Sequence, residues 1–385
     1  MTPVETPQDL RSLTALRFMA AAWVAVYAFW PDLSGGGAAG QISPGLAAKG
    51  YLGVELFFVL SGFILSHVYL AAAGEKRFSY KGFLWARIAR VYPLHLFTLT
   101  AVGVLGVAAT AAGMAIDANI LSWSSLPANL LMVHAWGFAP TAGWNHPSWS
   151  ISAEWFAYLT FPAFAFVAWR LRARPWAAVT AAVAVLGGLY WIFPQLTGFA
   201  LTEATIRWGA LRIVPCFALG CALYLVYRAR PLRHPGLCAG VFACLMLASA
   251  AFGLWDAITV VMAGGLILAL SCLPNARAGV LASAPAVYLG EVSYSVYMVL
   301  TPYKLVAVNL AKKALGLGDA GLPPVVWLVV LVGLVPAAMV SYHLVEKPAR
   351  RWLRGLADAR AKRTGASTQR TNSRETRLQP PGPIV

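Results

Sequence analysis

Acidic residues are scarce in this chain, 14 Asp and Glu against 30 Lys and Arg among 385 residues, and charged residues of both signs together make up only 11%. A soluble domain carries about a quarter charged residues, so an ordinary soluble class is excluded. The 59% hydrophobic content and mean hydropathy of +0.67 place the chain among polytopic membrane proteins. Metal-ligand patterns are also missing: Cys216, Cys221, Cys238, Cys244 and Cys272 lie in or beside apolar runs, without CxxC or histidine spacing. They read as small core or lipid-facing residues, and no metal is expected. No small-residue cleavage site follows the first apolar run, so the first helix is expected to stay in the protein. There is no internal repeat and no second soluble domain. The net charge of +16 does not call for nucleic acid, because the basic residues cluster between apolar runs and in the tail, where topology accounts for them.

What is present is a series of apolar runs long enough to span a bilayer. They cover 13–31, 51–72, 86–112, 150–169, 175–194, 208–227, 236–254, 257–274, 285–307 and 323–345. Basic residues follow every even-numbered run: Lys76, Arg77 and Lys81; Arg170, Arg172 and Arg174; Arg228, Arg230 and Arg233; Arg277. The opposite connections are poor in Lys and Arg, Lys312 and Lys313 excepted. By the positive-inside rule the expected fold is an all-α polytopic membrane protein of about ten transmembrane helices with both termini cytoplasmic. Residues 1–355 form the membrane domain and 356–385 a disordered basic tail, too polar to bury a face and suited to touching anionic lipid. The outward loop from Gly113 to Trp149 contains the apolar run NLLMVHAW, for which a re-entrant or interfacial helix is expected.

Polar residues inside such runs are costly and mark candidate chemistry. Arg17 lies within the first run, and eleven residues further, three turns plus about 20°, position 28 shares its stripe at a distance of roughly 16 Å; that position is Ala28. Glu55, in GVELFFVLSGF, opens the second run at the depth of position 28, suited to orienting a base there or simply to a helix N-terminus. Arg87 and Arg90, three apart in FLWARIARVYP, share a face that fits phosphates or ordinary cytoplasmic snorkelling. His146, Ser150, Ser152 and Glu154 cluster at the start of the fourth run and suit an acceptor site in the outer layer. Arg207, Arg212, Glu291, Ser293, Tyr294, Ser295 and Glu346 each suit packing as well as function.

Taken together, LTALRFMAAAWVAVY, GYLGVELFFVLSGFIL, FLWARIARVYPLH, WSISAEWFAYLTFP, EVSYSVYM and YHLVEKPARR resemble, in order and spacing, the acyltransferase-3 family of integral-membrane acyltransferases. The resemblance covers residues 13 to 355. It implies transfer of an acyl group, usually acetyl, from cytoplasmic acyl-CoA to a hydroxyl of a glycan or exopolysaccharide at the outer side. It implies a bacterial-type cytoplasmic (inner) membrane, no permanently bound cofactor, and acetyl-CoA as donor substrate. Arg17 and position 28 then match the family's arginine and histidine, with Glu55 as the acidic partner and Arg87 and Arg90 as the CoA-phosphate pair. This chain departs at two places, with Ala28 where the family has its histidine and Leu300 where a second is often found. Alanine takes no proton, and loss of a general base costs roughly 10²- to 10⁴-fold. The resemblance therefore implies an impaired form, either a naturally inactive member or one in which histidine was replaced, and the intact remaining blocks favour replacement. The expected mechanism is direct attack by the acceptor with Arg17 stabilising charge near the thioester; an acyl-enzyme on Ser150 or Ser152 is the alternative. A transporter or flippase for an acyl or glycan substrate is the competing class, weakened by the missing repeat. Monomer and homo-oligomer are both compatible with the sequence.

Overall fold

The computed structural model describes residues 9–33, 45–113, 120–229 and 232–357. Arg230 and the tail from residue 358 onward lie outside the described residues. Each apolar run forms one helix: α1 (Arg11–Phe29), α2 (Gly53–Gly74), α3 (Tyr80–Ala111), α4 (Trp149–Leu171), α5 (Pro175–Thr197), α6 (Gly209–Arg228), α7 (Pro235–Ala251), α8 (Asp256–Cys272), α9 (Ala284–Ala314) and α10 (Pro324–Ser341). Among the described residues there is no strand, only an isolated bridge from Leu33 to Leu322. Among the described residues, seven helical stretches are long and apolar enough to cross a membrane. At 17 residues, α7 and α8 fall short of the roughly 20 that the hydrocarbon core requires, while α9 has the length but carries Glu291, Lys304, Lys312 and Lys313. The chain is an all-α polytopic membrane protein.

Local chemistry sets the helix starts. Ser79 caps α3 by accepting from the Gly82 amide at 3.3 Å, and Ser283 caps α9 through the Ala286 amide at 3.5 Å. Prolines open α5, α7 and α10, where the missing N–H has no helical partner to lose. Without a hydrophobic force between helices inside lipid, close approach at small residues holds the bundle. A Cβ on Gly62 would fall 2.1 Å from the Phe217 carbonyl oxygen, and one on Gly290 would fall 1.9 Å from that of Thr14. These contacts clamp α2 to α6 and α1 to α9. Two apolar cores result, a large one around α2, α4, α6 and α8 and a smaller one shared by α1, α9 and α10. Phe57 packs against both, and the cavity described below lies at their junction.

The loop between α3 and α4 differs from expectation. NLLMVHAW does not form a continuous helix: α-helix covers Leu126–Leu130, and a separate 3-10 turn covers His134–Trp136. The backbone turns left-handed at Met132, φ 55°, and Gly137, φ 90°, so the helix cannot propagate. At the other end of the chain, α10 runs on through a π-turn at Tyr342–Glu346. A π-turn adds a residue to the turn and re-aims side chains. Here Glu346 is buried and accepts from the Ser295 hydroxyl at 2.7 Å.

Candidate active site

A cavity of about 270 Å³ opens between α1, α2, α3, α4 and α9. Arg87 and Arg90, in the second and third turns of α3, bound it toward the start of that helix, and Ser150, in the first turn of α4, bounds it on the opposite side. Arg17 from α1 and Glu154 from α4 line it between these limits. The walls combine apolar side chains such as Phe57, Phe58 and Ile64 with the hydroxyls of Ser61, Tyr158, Ser293, Tyr294 and Tyr297.

Three guanidinium groups therefore face one carboxylate. Among the described residues Arg17, Arg87 and Arg90 form no ion pair. Arg87 is held instead by aromatic faces, with its guanidinium carbon 5.8 Å from the ring centroids of Tyr69, Phe83 and Tyr158. One Nη donates to the Tyr69 hydroxyl at 3.4 Å, and the buried Nε has no hydrogen-bond partner among the described residues. Arg17 feels the charges of Arg90, Glu154 and Glu346. Cations assembled in this way at low dielectric create a strong demand for an anion. The carboxylate is also anchored: Ser61 Oγ donates to Glu154 Oε1 in a short hydrogen bond, and the Tyr158 hydroxyl is its other neighbour. The Tyr294 hydroxyl donates to the Val91 carbonyl at 2.6 Å and that of Tyr297 to the Pro147 carbonyl at 2.8 Å, which ties α9 to α3 and to the outer loop.

Of the residues singled out in the sequence, Arg17, Arg87, Arg90, Ser150, Glu154, Ser293 and Tyr294 meet in this cavity; Ala28, Glu55, His146 and Ser152 do not line it, nor do Arg207, Arg212, Glu291, Ser295 and Glu346. Glu55 is fully buried and accepts from Arg212 Nε at 2.5 Å. The half-buried Ala28 packs against the smaller core, and its carbonyl accepts from Lys304 Nζ at 2.6 Å. Ser152 Oγ accepts from the Ala135 amide at 3.0 Å, pinning the outer loop to α4. Ser150 Oγ donates to the Pro147 carbonyl at 3.2 Å, and His146 is exposed. Sequence reasoning passed over Ser61, Tyr158 and Tyr297. The signal was there for Tyr158, four residues after Glu154 and so on its face of α4.

Behind the first turn of α4 lies a second buried polar group. The His134 ring stacks on His95 at 6.0 Å, with Nε2 3.1 Å from Ser148 Oγ. Burial, reinforced by the neighbouring His95, pushes the His134 imidazole down to about 3. Below the unfolded value near 6.5, the unfolded chain takes up a proton that the folded state refuses. Stability is therefore present above pH 6.5 and is lost toward pH 3, by at most about 1.4 kcal/mol per pH unit. Thermal melts between pH 7 and pH 5 are expected to show this fall, and His134→Gln to flatten it. An equal slope in both proteins would show that His134 is protonated in the fold.

The comparisons with known proteins give the family. The acyltransferase-3 family model, described as "Acyltransferase domain", matches residues 10–343. The chain is 32% identical over 320 residues to "Acyltransferase MdmB" of Streptomyces mycarofaciens, covering 75% of this chain and 78% of that protein. It is 26% identical over 337 residues to "Putative peptidoglycan O-acetyltransferase YrhL" of Bacillus subtilis (strain 168), covering 79% of this chain and 51%, about half, of that protein. No solved structure matches. A bundle whose polar groups converge on one cavity within its core, matched by that family along almost its whole membrane part, belongs to the acyltransferase-3 family and is a multi-pass membrane acyltransferase.

Proposed function

We propose that the chain is an O-acyltransferase that moves an acyl group, acetyl foremost, from acyl-CoA to a hydroxyl of a glycan or exopolysaccharide. The observation that carries this reading is the set of three guanidinium groups around one cavity, without ion-pair partners among the described residues. Acyl-CoA is a polyanion with a neutral reactive end, so it satisfies two of them through phosphate and leaves one for the thioester. Arg87 and Arg90 hold the phosphates, for which a planar two-pronged donor is better suited than an ammonium. Arg17, deeper in the bundle, meets the thioester carbonyl, where negative charge grows as the acceptor attacks. The hydroxyls of Ser150 and Tyr297 lie where an acceptor sugar would enter. The printed name of the Bacillus relative, a peptidoglycan O-acetyltransferase, supports a glycan hydroxyl as acceptor. Cytoplasmic termini in a bacterial-type inner membrane complete the reading, since CoA is then met on the side where α3 begins, toward which Arg87 and Arg90 lie.

The test is ligand protection of the purified full-length chain. CoA and acetyl-CoA are expected to raise its melting temperature, with about 2.7 kcal/mol of stabilisation at a hundredfold excess over Kd. Arg87→Ala and Arg90→Ala are expected to remove most of that protection. If neither CoA nor acetyl-CoA shifts the melt of the unmodified chain, the donor reading is wrong.

A further inference from the structure

No histidine lines the cavity among the described residues, and Glu154 is the one carboxylate that does. The two positions where the resemblance expects imidazole, 28 and 300, hold alanine and leucine, and both pack into the core shared by α1, α9 and α10 with Phe29, Val296 and Leu334. Leu300 is buried there, 4% exposed. Replacement of a single histidine leaves its polar surroundings behind, but these two positions belong to one continuous apolar packing. The polar group beside them is already committed. Lys304 Nζ donates to the Ala28 carbonyl, pairs with Asp32 at 2.8 Å and lies 5.6 Å from the Phe29 ring centroid. An ammonium held in this way has no lone pair with which to accept a proton.

We propose that Glu154, and not position 28, is the general base of this chain, with Ser61 as the residue that positions it; this rests on the acyl-CoA reading above. Ser61 fixes one carboxylate oxygen and thereby the direction of the group. Arg17 lies within electrostatic reach of Glu154, so base and carbonyl-stabilising cation face the same reacting carbon. As the acceptor oxygen attacks the thioester carbonyl, its proton passes to the Glu154 carboxylate and the new C–O bond forms. The C–S bond then breaks with its electron pair on sulfur, and the proton held by Glu154 neutralises the thiolate, so CoA leaves as the free thiol and the carboxylate is restored. No further reactant is required. On this account the chain is an active enzyme whose base has moved from α1 to α4.

The experiment uses the purified full-length chain with acetyl-CoA as donor and water as acceptor, reading thiol release, with CoA protection against heat as the control for folding and donor binding. The unmodified chain is expected to release thiol. Glu154→Gln is expected to slow release by about 10²-fold or more while CoA still protects, and Glu154→Asp to recover part of the rate. Ala28→His is expected to change the rate far less than Glu154→Gln does. The proposal is overturned if Glu154→Gln keeps the unmodified rate, if Ala28→His raises release by about 10²-fold, or if the unmodified chain is protected by CoA yet releases no thiol. Should Glu154→Gln fail to fold, the Ala28→His comparison decides alone. Absence of CoA protection in the unmodified chain is a different failure: it removes the donor reading first, and this proposal with it.

Discussion

Replacing Arg212 with methionine is expected to destabilise the protein by about 3–5 kcal/mol, the range for removing one partner of a buried ion pair. Arg212 is 2% exposed and its partner Glu55 not at all. The guanidinium makes three contacts at once. Its Nε donates to Glu55 at 2.5 Å, one Nη donates to the Ala204 carbonyl at 3.1 Å, and its guanidinium carbon lies 4.5 Å from the Trp149 ring centroid. These contacts join the first turn of α2, the first turn of α4 and the segment before α6. The methionine variant leaves the Glu55 carboxylate enclosed without a counter-charge, whereas Glu55→Gln combined with Arg212→Met removes both charges and is expected to regain most of the loss. Chemical or thermal unfolding of the purified single and double variants gives the coupling directly. A double variant as unstable as Arg212→Met alone would show that Arg212 acts through packing. Activity is expected to fall with Arg212→Met as well, because the pair sets the register of α2 against α4, and with it Ser61 against Glu154.

That pair also shows where the sequence stops being legible. Helix placement follows from run length and flanking charge, because apolarity over about twenty residues is a local property. The shared face of Arg87 and Arg90 is likewise local, fixed by a spacing of three. Glu55 and Arg212, in contrast, are 157 residues apart, and nothing near either names the other. Depth alone suggested that Glu55 serves position 28, but depth does not fix the rotation of a helix about its axis. The structure rotates Glu55 toward α6 and Ala28 toward α9, where Lys304 meets its carbonyl. The outer loop escaped for another reason. Its apolar run has the composition of a helix, but left-handed backbone at Met132 and Gly137 ends it after five residues, and composition does not record that.

The half-buried Arg17 is expected to behave in the opposite way. Arg17→Met should lower thiol release from acetyl-CoA by about 10²- to 10³-fold, the usual loss when a donor to a developing oxyanion is removed, while leaving thermal stability unchanged or raised. Arg17 forms no ion pair among the described residues, and Arg90 lies near enough to repel it. Glu154 and Glu346 attract Arg17 as well, but each keeps its own hydrogen bond, from Ser61 and from Ser295, so the removal breaks no direct ion pair among the described residues and takes an intramembrane cation out, which relieves a cost. A residue that weakens the fold while serving the reaction is the pattern expected at a catalytic centre. Arg17→Lys retains the charge without the planar donor pair and should recover only part of the rate. Melting temperature and thiol release measured on the same preparations of Arg17→Met and Arg212→Met separate the two roles. If Arg17→Met melts as low as Arg212→Met, Arg17 is a structural cation and the thioester carbonyl is stabilised by another group.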